Sequence, residues 1–308
     1  MGAISRMQLI SKPKSTFRRL LTSEAGGGIA LMATATVALI VANSPWASVY
    51  FATLQSHAVG LTVLEWINDA LMAVFFLMVG LEIKREFIEG QLATWPRRML
   101  PAMAALGGMV APALTYVAFN LFSAQTLRGW AIPTATDIAF ALGALALLGS
   151  RIPASLKVFL TALAILDDLG AISIIAIFYT DHLAPMWLAA VVATFGLLMT
   201  LNYRGVTNLA PYLLLGAFLW FFMLKSGVHA TLAGVALAFS VPLKRLPSTG
   251  QLPSLLRLEH AIQWPVSYLI MPVFGFANAG VSFAGLNWAT ITAPVTLGVA
   301  AGCFSASR

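Results

Sequence analysis

Long apolar runs separated by short polar connections dominate the chain. Ten such runs can be recognised, at residues 25–43, 62–83, 99–122, 130–149, 154–180, 184–202, 209–224, 227–241, 262–280 and 290–304. A helix crosses the hydrocarbon core of a bilayer with about 20 residues, and the shorter runs at 209–224 and 227–241 are typical of tilted or half-buried helices. The pattern predicts an all-α, polytopic helical membrane protein with about ten spans, in a single transmembrane domain over residues 1–308.

Basic residues in the polar connections indicate how the chain is oriented. If successive connections are assigned alternately to the two sides of the membrane, 16 of the 18 Lys and Arg residues fall on one side. The two exceptions are Arg128 and Lys225. Cytoplasmic loops carry the excess of basic residues, so the segment 1–24 is predicted to be cytoplasmic. The segment 44–61 then lies on the outer side, as a loop or a hairpin. A signal peptide is the alternative for the first run, but this run is long and no clear cleavage site follows it.

Composition narrows the class of protein. Hydrophobic residues make up 59% of the chain and charged residues 9%, and the mean hydropathy is +0.87. A soluble domain of this size cannot cover so much apolar surface, which excludes a soluble enzyme and a disordered chain. The single cysteine, Cys303, excludes an internal disulfide and a cysteine-based metal site. The net charge of +7 follows from the basic connections, so no nucleic-acid partner is expected, and no sequence motif predicts a cofactor.

Asp137, Asp167 and Asp168 are acidic residues that lie inside apolar runs. An ionised carboxylate at the centre of a span costs about 2.5–3.5 kcal/mol even on insertion scales, so these side chains are expected to face water, a cation or each other. Asp167 and Asp168 are adjacent and can border one cavity, where each carboxylate binds either a proton or a small hard cation. Such competition is the minimal chemistry of an ion exchanger. The alternative is a helix-packing role in which the pair accepts hydrogen bonds from neighbouring backbone.

The surroundings of Asp137 predict an interrupted helix. Pro133 removes a backbone donor and disfavours helix immediately before it, while Thr134 and Thr136 can bond the free backbone groups. This pattern favours a span broken in mid-membrane, with Asp137 at the N-terminus of the following half-helix. A simple proline kink is the alternative.

A second polar cluster lies at the cytoplasmic end of the second run. Glu82, Arg85, Glu86 and Glu89 are spaced so that they share one helical face, and Glu259 could join them. The cluster is either a solvated helix end or a charged funnel that attracts cations and senses pH. His229, the only histidine within a span, titrates near neutrality but could equally be structural.

Five separated segments resemble signature segments of the NhaA family of bacterial Na⁺/H⁺ antiporters. They are Phe76–Glu86, Thr136–Gly143, Ala164–Ile172, Leu224–Thr231 and Phe276–Val281, and the match runs from about residue 15 to about residue 302.

The resemblance implies a secondary transporter of the bacterial inner membrane, not an enzyme, which exports Na⁺ or Li⁺ in exchange for H⁺. Asp167 and Asp168 would carry Na⁺ and protons, and Thr136 and Asp137 would belong to a crossed pair of broken helices in an inverted-repeat architecture. The outer segment 44–61 would be the periplasmic hairpin through which family members form a homodimer. Positions linked to pH activation would be Glu82, Arg85, Glu86, His229 and Glu259.

The chain departs from the family pattern near its C-terminus. Family members have twelve spans, and the pattern fails after Gly302, with Ser307 standing about where a lysine is expected. The sequence therefore predicts a C-terminal truncation, and a truncated, inactive family member is the alternative function. An intramembrane aspartyl protease is disfavoured because Asp167 and Asp168 are adjacent on one helix and no Gly-x-Gly-Asp segment occurs.

Overall fold

The structure is a computed structural model of the chain. It describes residues 24–90, 92–121, 124–134, 183–243, 252–284, 287–288 and 292–306, and within 155–174 the residues 155–156, 159–160, 162–163, 166–167, 170–171 and 173–174.

The described residues are helical apart from one small hairpin and the connections. In chain order the elements are α1 (Glu24–Ala42), α2 (Ala47–Gln55), β1 (His57–Ala58), β2 (Leu61–Thr62), α3 (Val63–Ile88), α4 (Trp95–Asn120), α5 (Ala124–Leu127), α6 (Pro185–Tyr203), α7 (Leu209–Ser226), α8 (Leu232–Ser240), α9 (Ser254–Pro265), α10 (Met271–Asn278) and α11 (Pro294–Ala306). The first part of α3 contains a π-helix at Trp66–Leu71, and a second π-helix, Val266–Ile270, joins α9 to α10. A 3₁₀ helix at Arg128–Thr134 continues α5.

Several apolar runs predicted from the sequence are helices long enough to cross a membrane. Within the described ranges, α3, α4, α6 and α7 meet this criterion, and α1 with α2 forms a fifth candidate if the pair, bent by 113°, is counted as one span. The run at 227–241 contains only the nine-residue helix α8, and most of the runs at 130–149 and 154–180 lies outside the described residues. The chain is therefore a multi-pass helical membrane protein, while the count of ten spans and the inverted repeat stay predictions.

The segment 44–61 contains a short helix and a hairpin. The strands pair antiparallel, with His57 opposite Thr62, and the two turn residues Val59 and Gly60 have φ of 51° and 83°. Positive φ at both central residues is what a two-residue hairpin turn requires. Thr62 then caps α3, because its backbone N–H donates to Glu65 Oε2 at 2.7 Å while its hydroxyl accepts from the Glu65 backbone N–H at 3.1 Å. The side of the membrane on which this segment lies stays a prediction.

The largest buried cluster lies between α3, α6, α7, α8 and α9. Leu81, Tyr212, Leu219, Ala238 and Leu255 are among its fully buried members. Small residues allow α8 to lie directly against α3, since a Cβ at Gly234 would collide with the carbonyl oxygen of Ala73, and a Cβ at Gly80 would lie 2.7 Å from that of Ala238. Close approach through small residues is the usual packing of membrane helices, because lipid provides no hydrophobic drive for association.

Candidate functional site

Asp167 is buried between α3 and α4. It is helical and only 8% exposed. Ala162 and Leu166, five residues and one residue before it, belong to one apolar cluster with Val79 and Ile83 of α3.

The contact with α4 comes one turn after Asp167. A side chain at Gly170 would collide with the thioether of Met109 on α4, so the helical segment lies close to that helix. The segment that carries Asp167 is therefore packed between α3 and α4. A carboxylate buried in this way is costly when ionised unless a proton, a cation or a hydrogen-bond donor compensates it.

The other predicted members of the ion site are not in the described part of the chain. Asp168, Thr136 and Asp137 lie outside it, so their position relative to Asp167 stays a prediction. Within the described ranges, no group of three or more His, Cys, Asp or Glu side chains is placed so that it could hold a metal ion.

The chain immediately before Thr136 is described and is not α-helical. Arg128–Thr134 forms a 3₁₀ helix that contains Pro133, and the buried Thr134 hydroxyl donates to the carbonyl oxygen of Ala131 at 2.8 Å. Pro133 also lies against α11, where a Cβ at Gly302 would come within 2.7 Å of the proline ring. A tight 3₁₀ segment within a helical region often marks a hinge or a helix break.

An ion-pair cluster joins the end of α3 to α9. Arg85 Nη1 lies 3.3 Å from Glu86 Oε1, and Arg85 Nε lies 3.3 Å from Glu259 Oε1. The sequence left open whether this cluster is solvated. The side chains of Glu86 and Glu259 are only 14% and 15% exposed, against 33% for Arg85, so both carboxylates are largely removed from solvent.

Hydrogen bonding within the cluster is incomplete. Arg85 Nε is close to Glu259 but is not aligned as a hydrogen-bond donor, and Glu259 Oε2 is buried without a hydrogen-bond partner among the residues that the structure describes. Glu82 lies one turn earlier and is partly buried, whereas Glu89 is exposed. Each contact that a buried carboxylate does make matters more to its stability, because the low local dielectric strengthens the interaction.

His229 is remote from this cluster. It lies immediately before α8 and interacts electrostatically with Asp69, which is in the π-helix of α3. Sixteen helical residues separate Asp69 from Arg85, which corresponds to about 24 Å. The predicted pH-related residues therefore fall at opposite ends of α3.

Asp69 is a half-buried acid that the sequence pattern did not single out. It lies within the predicted run 62–83, and that position alone could have identified it. Trp220 Nε1 donates to its carbonyl oxygen at 3.1 Å, and the neighbouring Asn68 Oδ1 accepts from Asn278 Nδ2 at 2.8 Å. Single π-helical turns inside longer helices are frequent at functional sites.

Lys84 is the second residue that the sequence pattern did not identify. Its position next to Arg85 is typical of a basic residue in a cytoplasmic connection, yet it is only 9% exposed. Its Nζ donates to the carbonyl oxygens of Phe239 and Val241, both at 2.6 Å. Lys84 is thus a buried charge that joins α3 to the end of α8.

Comparisons with known proteins find relatives that match almost the whole chain. The chain matches the family model described as Na⁺/H⁺ antiporter 1 over residues 18–306. A relative from Nitrobacter hamburgensis, named Na⁺/H⁺ antiporter NhaA, is 62% identical over 95% of this chain and 72% of its own length. Relatives with corresponding names are 60% identical over 96% of the chain and 75% of their length in Mesorhizobium japonicum, and 60% identical over 93% and 73% in Pseudomonas syringae pv. tomato.

Proposed function

The chain belongs to the Na⁺/H⁺ antiporter 1 family, and from this membership we propose that it exchanges Na⁺ for H⁺ across a membrane. The relatives that carry the antiporter name are about 60% identical over almost the whole chain, which supports the same exchange. Members of this family are transporters, so we take the chain to be a transporter and not an enzyme. In the finer proposal it is a secondary transporter of the bacterial inner membrane, with a cytoplasmic N-terminus, that exports Na⁺ or Li⁺ using the proton gradient.

The burial of Asp167 is the observation that carries this proposal. Asp167 is only 8% exposed, and a bound proton or a bound small cation would each offset the cost of burying its charge. We place Na⁺ on Asp167 and Asp168, so that a bound cation and a bound proton exclude each other. Alternating exposure of these two side chains to the two sides of the membrane then converts inward proton flow into outward Na⁺ flow.

Thr136 and Asp137 belong to the broken helix beside that site in this proposal. Support comes from the 3₁₀ segment Arg128–Thr134, which interrupts the α-helix immediately before Thr136. A free half-helix N-terminus carries a partial positive charge, and Asp137 would neutralise it.

We assign pH sensing to Glu82, Arg85, Glu86, Glu259 and His229. The shielded carboxylates of Glu86 and Glu259, both beside Arg85, support this role because protonation of either removes an ion pair between α3 and α9 or within α3. The hairpin formed by β1 and β2 is the proposed homodimer contact.

Transport by everted membrane vesicles tests the proposed function. After respiration has acidified the vesicle interior, addition of Na⁺ or Li⁺ is expected to collapse the pH gradient. Asp167→Asn and Asp168→Asn should each abolish the response, while Asp181→Asn, the same change in a predicted connection, should preserve it. Absence of any response in the unmodified chain, with the protein present in the membrane, would contradict antiport and favour an inactive family member.

A further inference from the structure

The buried ammonium group of Lys84 hydrogen-bonds to the C-terminal end of α8. The last carbonyl groups of a helix have no donor within that helix, and Lys84 Nζ donates to two of the carbonyl oxygens in this region, those of Phe239 and Val241. A positive charge at a helix C-terminus is also favoured by the helix dipole. Burial of an ammonium is tolerated only where such partners are in place, so the position of Lys84 depends on the position of the α8 terminus.

A second helix contributes to the same terminus. Asn202 Nδ2, near the end of α6, donates to the carbonyl oxygen of Ser240 at 2.6 Å. The carbonyls of Phe239, Ser240 and Val241 therefore all accept hydrogen bonds from side chains of other helices. Of the two donor side chains, Lys84 of α3 is charged and Asn202 of α6 is neutral.

Adjacent residues of α3 contact different elements at this point. Lys84 bonds to the end of α8, whereas Arg85 pairs with Glu259 of α9. Both side chains leave the same helical turn, so a movement of the α3 backbone at Arg85 would also move Lys84. At the opposite end of α8, His229 in the preceding connection lies close to Asp69 of α3.

We propose that Lys84 is a positioning residue for exchange: it clamps the end of α8 to α3 and transmits to α8 the state of the Arg85–Glu86–Glu259 cluster. The inference rests on the proposed antiport function and identifies a regulatory connection of the same transporter. α8 carries no titratable residue. The titratable and charged residues on α3 and on the helices packed against α3 and α8 include Glu65, Asp69, Glu82, Lys84, Arg85, Glu86, Tyr203, Tyr212, Lys225, Arg257, Glu259, His260 and Tyr268. Arg98 of α4 donates to the carbonyl oxygen of Phe87 of α3, and Asp167 lies on the segment that packs against α3.

Transport kinetics test the transmission step. In everted vesicles, Lys84→Met is expected to lower the maximal exchange rate per folded transporter about tenfold while the KM for Na⁺ stays within about twofold, because the clamp affects the motion and not the ion site. Lys225→Met removes an exposed lysine and should leave both parameters unchanged. A loss of protein with an unchanged rate per folded transporter would show a merely structural role and overturn the proposal.

A second comparison tests whether Glu259 and Lys84 affect exchange through the same route or independently. Glu259→Gln should change the pH profile of exchange in the unmodified chain but have no further effect in the Lys84→Met chain, because the route to α8 is already broken. Equal changes in the two backgrounds would overturn the proposal.

A distance measurement tests the clamp without depending on transport. Spin labels are placed on cysteines at the exposed positions Ile88 and Phe239, after the exposed Cys303 is replaced by serine. The unmodified Lys84 background should give one narrow distance distribution, and Lys84→Met should broaden or shift it. Identical distance distributions in the unmodified chain and in Lys84→Met would overturn the proposed clamp. The measurement does not need transport, so it tests the clamp even if the chain shows no Na⁺/H⁺ exchange and the proposed function fails.

Discussion

Removal of the Arg85–Glu259 ion pair is expected to weaken the attachment of α9 to α3. The closest N–O distance is 3.3 Å. At an effective dielectric constant of about 20, two unit charges at this separation attract each other by about 5 kcal/mol. The partial exposure of Arg85 and the cost of desolvating both groups oppose this attraction, so the net coupling is expected to be about 1–2 kcal/mol.

A double-mutant cycle measures this coupling directly. Arg85→Met, Glu259→Gln and the double variant are purified in detergent, and the free energy of unfolding is measured for each by chemical denaturation. Glu89→Gln is the control, because Glu89 is an exposed carboxylate at the end of the same helix and its loss should cost less than about 0.5 kcal/mol. Arg85→Met and Glu259→Gln should each reduce the free energy of unfolding by more than this control. A coupling energy below about 0.3 kcal/mol would refute the reasoning, because the pair would then not connect the two helices energetically.

Two further predictions concern helix packing. Gly234→Val places a side chain against the carbonyl oxygen of Ala73 and the backbone nitrogen of Leu77, which cannot rotate away, and should reduce the free energy of unfolding by about 1–3 kcal/mol or more. Gly196→Val has open space around its Cβ and is the matched control; equal losses for the two would contradict close packing of α8 on α3. Tyr50→Phe removes the hydroxyl that donates to Phe276 O at 2.5 Å and should cost about 1 kcal/mol in the same assay. The exposed Tyr203→Phe should cost nothing measurable, and a Tyr50→Phe variant as stable as this control would show that the bond does not hold α2 to α10.

The long helices could be predicted because their sequences carry the signal themselves. α3, α4, α6 and α7 each contain an apolar run of roughly the length of a bilayer, and composition alone distinguishes such a run from a soluble helix. The ion-pair cluster could also be predicted, since Arg85 and Glu86 follow Glu82 by three and four residues, which places both near it on one helical face. Glu259 falls in a connection on the same predicted side.

Features that depend on contacts between distant segments could not be predicted in this way. Lys84 has the sequence context of a solvated basic residue, and only the position of the α8 terminus shows that it is buried. The 113° bend between α1 and α2 likewise leaves no periodic signal in the sequence. The hairpin remained one of two alternatives because Val59 is an unusual residue for a turn position with positive φ.

Competition between Na⁺ and H⁺ for the buried carboxylates is the central claim, and proton release on Na⁺ binding tests it most directly. Purified transporter in weakly buffered detergent solution is titrated with NaCl, and the released protons and the apparent Na⁺ affinity are recorded at several pH values. The account predicts that protons are released as Na⁺ binds, that the apparent affinity falls about tenfold per pH unit at low pH for each competing proton, and that Asp167→Asn with Asp168→Asn abolishes both effects. Na⁺ binding that releases no protons and has the same affinity at every pH would contradict the account.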